Sequence, residues 1–115
     1  MGRALVVAWH RMSQRMLRIT IEQSAETTLI ILEGRIAGLW AAELGRTWTE
    51  VAPTMGTRRL LIDLRNTTYA DVSGIQALRD IYLQTAAEFV TGTPWTEYLA
   101  EQIKRQRAIP FEEEQ

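Results

Sequence analysis

The 115-residue chain contains no cysteine, which excludes a disulfide framework, a thiol nucleophile and thiolate metal ligands together. Its single histidine, His10, falls in an amino-terminal tail, so a Ser-His-Asp arrangement has no base within the patterned body. Long apolar runs are missing. The longest near the start, Ala4 to Trp9, is far short of the ~20 residues that span a bilayer and under the ~7–15 residues of a signal-peptide core. Neither sign of charge dominates: thirteen Lys plus Arg stand against fourteen Asp plus Glu, and the net charge is −1. No general attraction for nucleic acid or acidic membranes is therefore expected. Phosphate-cradling GxxxxGK motifs and the dinucleotide GxGxxG are absent, and Gly34-Arg35-Ile36-Ala37-Gly38 fits neither. Asp71 and Asp80 are joined by no His or Cys and make no metal site. These absences predict one small cytoplasmic domain, not an enzyme, with no cofactor, no metal and no transmembrane segment.

What is there is a patterned body between two tails. The first eighteen residues carry Arg3, Arg11, Arg15 and Arg18 and no acid, so residues 1–15 form a basic arm. The arm is either an added tail or upstream sequence from an early start codon. Its Leu5, Val6, Val7 and Trp9 suit a partner groove, a self-association contact or disorder. Residues 16–107 read as one domain, and residues 108–115, with Pro110 and Glu112 to Glu114, read as a frayed acidic tail.

Within the body, Leu17, Ile19 and Ile21 alternate with polar residues as in a half-buried strand. Thr27 to Leu32 is a nearly unbroken β-branched and apolar run, expected to be central and covered on both faces, and Ser24-Ala25-Glu26 joins the two strands as an antiparallel hairpin. Trp40, Leu44, Thr47, Trp48 and Val51 recur at helical spacing until Pro53 and Gly56. Arg59 to Leu64 predicts a third strand and Arg65 to Ala70 a loop; Asp71 and Ser73 then start a helix that places Ile75, Leu78, Ile81 and Tyr82 on one face. Glu88 to Thr91 predicts a fourth strand, and Thr93-Pro94 opens a last helix carrying Trp95, Leu99 and Ile103. The expected fold is α/β, a mixed and mostly parallel four-stranded sheet in the order β-β-α-β-α-β-α with helices packed on it.

The segment Leu61-Ile62-Asp63-Leu64 through Asp71-Val72-Ser73-Gly74 to Leu78, together with Leu32-Glu33-Gly34-Arg35-Ile36, resembles the signature of STAS domains, the sulphate-transporter and anti-sigma-factor-antagonist family, over roughly residues 16–107. The resemblance implies that Ser73 occupies the position phosphorylated by an anti-sigma factor that is also a serine kinase. It also implies that the unphosphorylated domain binds that partner and that phosphorylation breaks the binding. Asp71 takes the family's acidic position, and Val72 stands where the first of two serines is common. The partner surface so implied is Tyr69, Asp71, Val72, Ser73, Gly74, Gln76, Arg79 and Asp80, with Gly74 permitting close approach of a partner backbone.

Physical chemistry supplies a reading beside each of these. Phosphate on Ser73 adds about −1.5 to −2 charges at a helix amino end, where free N–H donors favour it, and makes the surface beside Asp71 strongly acidic. Unmodified, Ser73 is also a first-turn residue that supports the helix. Asp63 is expected to serve the fold by bonding backbone groups, and Trp40, Trp48 and Trp95 to pack on the sheet. Tyr69 is either exposed on the docking loop or a plug at the core's edge. Two further functions compete with the switch: a constitutive STAS adaptor subunit of a lipid-transport ATPase, without a phosphorylation cycle, and a sensor of a small ligand.

Overall fold

The structure is a computed structural model that describes residues 17–105 and, by backbone alone, residues 4–7. Its elements run β1 (Ala4–Val7), β2 (Arg18–Gln23), β3 (Thr27–Ile36), α1 (Leu39–Val51), β4 (Arg59–Ala70), α2 (Val72–Thr85), β5 (Glu88–Val90) and α3 (Pro94–Lys104), with a single 3-10 turn at Ala52–Thr54 after α1. The strands lie side by side in chain order; β1–β2 and β2–β3 are antiparallel, while β3–β4 and β4–β5 are parallel. The four expected strands and three helices are all present in the expected order. Among the described residues the sheet nevertheless has five strands. Ala4–Val7 of the basic arm adds an antiparallel edge to β2, with Val6 opposite Ile21. Trp9, the rest of that arm and the acidic tail lie outside the described residues.

Alternation decides which face of the sheet is covered. Ile19 and Ile21 of β2, Thr28, Ile30 and Leu32 of β3, and Leu60, Ile62 and Leu64 of β4 are buried. The apolar members join one cluster with Leu44, Trp48 and Val51 of α1, Leu78 and Ile81 of α2, and Leu99 and Ile103 of α3. All three helices thus pack on one face, and each fully buried aliphatic side chain contributes about 1.5–3 kcal/mol. Leu29, Ile31 and Leu61 point the other way and are only half-buried, so β3 is not covered on both faces as its apolar run suggested. A dense run of β-branched residues serves a one-sided strand as well as a two-sided one.

The predicted loop at Arg65 to Ala70 is instead strand. β4 continues beside β3 as far as the pair Ile36–Ala70, across register shifts between Ile31 and Glu33 and between Gly34 and Arg35. Gly34, with φ 111°, supplies a backbone conformation at the second shift that side-chain-bearing residues rarely adopt. The bulges hide the pairing from a period-two reading.

Helix starts follow their signals. Thr93 caps α3: its hydroxyl accepts from the Thr96 amide at 3.1 Å, while the Thr96 hydroxyl accepts from the Thr93 amide at 3.0 Å. The buried stripe of α3 is Thr96, Leu99, Ala100 and Ile103. Trp95, expected to pack on the sheet, lies one position off that stripe and is exposed. Trp48 is buried and its Nε1 donates to Gln84 Oε1 at 3.2 Å, joining α1 to α2; Trp40 is half-buried against the core. No helix among the described residues is long and apolar enough to cross a membrane.

Candidate partner-docking site

β3 and β4 end together at Ile36 and Ala70, and the chain turns there into the starts of α1 and α2. Asp71 organises this corner. Its amide donates to the Ile36 carbonyl at 3.2 Å; its Oδ1 accepts from the Gly74 amide at 2.8 Å and its Oδ2 from the Gly38 amide at 3.1 Å. One carboxylate therefore caps α2 and also holds Gly38, which has φ 56° and immediately precedes α1. These amides, the Gly74 one foremost, hold the Asp71 carboxyl below the usual carboxylate range.

Gly74 is the tightest point. A Cβ there would lie 2.0 Å from the Ile36 carbonyl oxygen and 3.0 Å from its carbon. The backbone that approaches Gly74 is the chain's own Ile36, and Gly74 is buried, so the expected approach by a partner backbone is corrected. Val72 and Ser73, by contrast, are exposed, Val72 at 83%. Leu39, first residue of α1, is 80% exposed across the Gly38–Asp71 bond. Two large aliphatic side chains and a hydroxyl thus project from a corner whose backbone is pinned.

Tyr69 lies on β4 rather than on a loop, and it is exposed, with the Arg35 guanidinium carbon 4.4 Å from its ring centroid. Gln76 and Asp80 are exposed on α2 one turn apart, the Gln76 amide donating to Asp80 Oδ1 at 3.0 Å. Arg79 departs from expectation. Its guanidinium turns toward α3 and donates to the Gln102 carbonyl at 2.7 Å and the Ile103 carbonyl at 3.3 Å, satisfying the end of that helix rather than facing a partner. Of the eight expected partner residues, Tyr69, Val72, Ser73, Gln76 and Asp80 are exposed, Asp71 braces the corner through backbone amides, and Gly74 and Arg79 are taken up within the fold.

Asp63 is 5% exposed and lies away from this corner along β4. Its carboxylate accepts from the Arg65 amide and Nε, both at 3.0 Å, and from Arg65 Nη2 at 2.9 Å. The Arg65 side-chain bonds hold its carboxyl below the usual range. The expectation that it bonds backbone groups is met by the Arg65 amide alone.

Sequence reasoning missed Leu39, Gly38 and Arg35. Leu39 carries a usable signal, being a leucine off the Trp40-Leu44-Trp48 stripe. Gly38 and Arg35 gain their roles only from the β3–β4 pairing. No group of three or more acidic or histidine side chains that could hold a metal ion occurs among the described residues. No protein-family model matches this chain, and no curated protein matches it.

Proposed function

We propose that this chain is a regulatory docking module of the STAS-like, anti-sigma-factor-antagonist kind, which binds a protein partner, an anti-sigma factor with serine-kinase activity, through the corner formed by Tyr69, Val72, Ser73, Gln76 and Leu39. Phosphorylation of Ser73 releases the partner. The observation that carries this reading is the placement of Ser73: an exposed hydroxyl in the first turn of α2, between exposed Val72 and buried Gly74, on a backbone fixed by Asp71. A kinase can reach such a hydroxyl without unfolding anything, and exposed Val72 and Leu39 supply apolar anchors that a partner would bury.

The mechanism follows from charge. The Asp71 carboxylate already accepts from the Gly74 amide at the start of α2 and is fixed there. A phosphate on Ser73 adds about −1.5 to −2 charges beside this fixed anion. A partner surface fitted to a neutral hydroxyl beside apolar side chains then meets an uncompensated anion and loses affinity. Capture from the source cell's lysate with wild type and Ser73→Asp in parallel, with phosphosite mapping after addition of ATP, tests the reading. An anti-sigma kinase retained by wild type alone, with phosphate on Ser73, is the expected result. Retention of one transport ATPase by both proteins would replace the switch with a fixed adaptor.

A further inference from the structure

From β2 to α2, every arginine but one has an oxygen partner. Arg18, Arg46, Arg59 and Arg65 pair with carboxylates, and Arg58 and Arg79 donate to backbone carbonyls. Arg35 is the exception. It is exposed and makes no hydrogen bond or ion pair among the described residues; its guanidinium carbon lies over the ring of Tyr69, its neighbour across the β3–β4 ladder, 4.4 Å from the centroid. The acids nearest in sequence to this pair are already engaged, Glu33 by Arg18 and Asp71 by the Gly38 and Gly74 amides. The ring restrains the guanidinium while its N–H donors stay free, which prepares it for a planar anion. Ile36, the next residue of β3, receives the Asp71 amide and abuts Gly74, so Arg35 stands beside the docking corner.

We propose that Arg35, positioned by Tyr69, is a specificity-determining contact of the docking surface and receives a carboxylate side chain of the protein partner as a bidentate ion pair. The inference rests on the proposed function and adds the partner's chemistry to it. A carboxylate here also gives the switch its sign: phosphate on Ser73 repels an acidic partner surface, whereas it would attract a basic one.

The receiving group is tested first without a partner, by titrating the nitrogen-15-labelled full chain with sodium acetate at constant ionic strength and following the arginine Nε–H signals by NMR. The Arg35 signal should move more than those of Arg46 and Arg58. Tyr69→Phe should keep that movement, and Tyr69→Leu should cut it by about half or more, because the ring holds the guanidinium. An Arg35 signal that moves no more than that of Arg46 would overturn the proposal. With the purified partner that wild type retains, Arg35→Gln should weaken binding roughly ten- to a hundredfold. Arg35→Lys should restore little of it, because a point charge does not match both carboxylate oxygens. Arg35→Glu should be rescued by reversing one acidic residue of the partner to arginine. A loss of about twofold or less in Arg35→Gln, or rescue by no such reversal, would overturn the proposal and leave the docking reading standing. A wild-type chain that binds no partner would instead defeat the docking reading and this proposal with it.

Discussion

Replacing Gly74 with alanine tests the geometry on which the docking corner rests. Within a helix this exchange ordinarily stabilises, by about 0.5–1 kcal/mol, because glycine loses more backbone freedom on folding. Here the new methyl would sit 2.0 Å from the Ile36 carbonyl oxygen, a backbone atom that cannot swing aside. The start of α2 must retreat from β3, and that motion strains the Asp71 amide bond to Ile36 and the shared Asp71 clamp on Gly74 and Gly38. Overpacking costs about 1–3 kcal/mol, and one or two weakened hydrogen bonds about 1 kcal/mol each. Set against the propensity gain, the net expectation is a loss of about 2–3 kcal/mol, or roughly 10 °C in Tm for a chain of this size. Gly45, in mid-α1 with nothing within 4 Å of its would-be Cβ, is the internal control, and Gly45→Ala should be neutral or stabilising by up to ~1 kcal/mol. Urea unfolding followed by tryptophan fluorescence measures both. A Gly74→Ala protein as stable as Gly45→Ala would refute the close approach of α2 to β3 and the rigid presentation of Ser73 with it.

Acid should expose the Asp63 contribution. Its folded-state carboxyl is held below the unfolded value of ~3.9, so its stabilisation is present above that pH and is lost as pH falls through the folded value. Urea midpoints of wild type should therefore fall more steeply in this range than those of Asp63→Asn, and parallel curves would contradict the assignment. Arg79→Gln should speed amide hydrogen exchange at the carboxyl end of α3 while leaving its capped amino end protected, because the lost donors serve the Gln102 and Ile103 carbonyls. Ser73→Asp should retain the wild-type Tm, since a carboxylate in the first turn of α2 suits the helix dipole; a large loss would show that Ser73 is needed for the fold.

Most of the architecture was legible because each strand and helix carries its own period and its own stop signal. Thr93-Pro94 and Asp71 mark helix starts by capping chemistry, which acts over three residues and can be read locally. What escaped depends on distant pairing. The polar stretch Arg65 to Ala70 is strand because β3 extends past a glycine-supported bulge to meet it, and nothing within those six residues encodes that partner. Arg79 looked like a surface cation because helical spacing cannot show that the end of α3 lies across from it. The missing side chain of Gly74 is legible in the sequence as room for a close backbone, but the backbone it accommodates is the chain's own Ile36. Of the candidate site, Ser73 and Val72 were legible as exposed first-turn residues, whereas Leu39 joins them only through the Gly38–Asp71 bond.

That bond also explains why an acidic residue ahead of the serine suits a charge-controlled surface. A free Asp71 could rotate away from a phosphate on Ser73 and relieve the repulsion. Here both carboxylate oxygens are engaged, one by α2 and one by the turn into α1, so the negative charge stays where the new one would arrive. Asp71→Asn keeps an acceptor for the Gly74 amide but removes the charge, so it separates bracing from electrostatics. In phosphorylated protein, the second pKa of phosphoserine at Ser73 should be lower in Asp71→Asn than in wild type, because loss of a neighbouring anion favours the dianion. Phosphorus NMR titration of both proteins, with phosphoserine installed during synthesis, measures this without any kinase. Equal titration midpoints would mean that the Asp71 charge is not felt at Ser73 and that the acidic position acts through the helix cap alone.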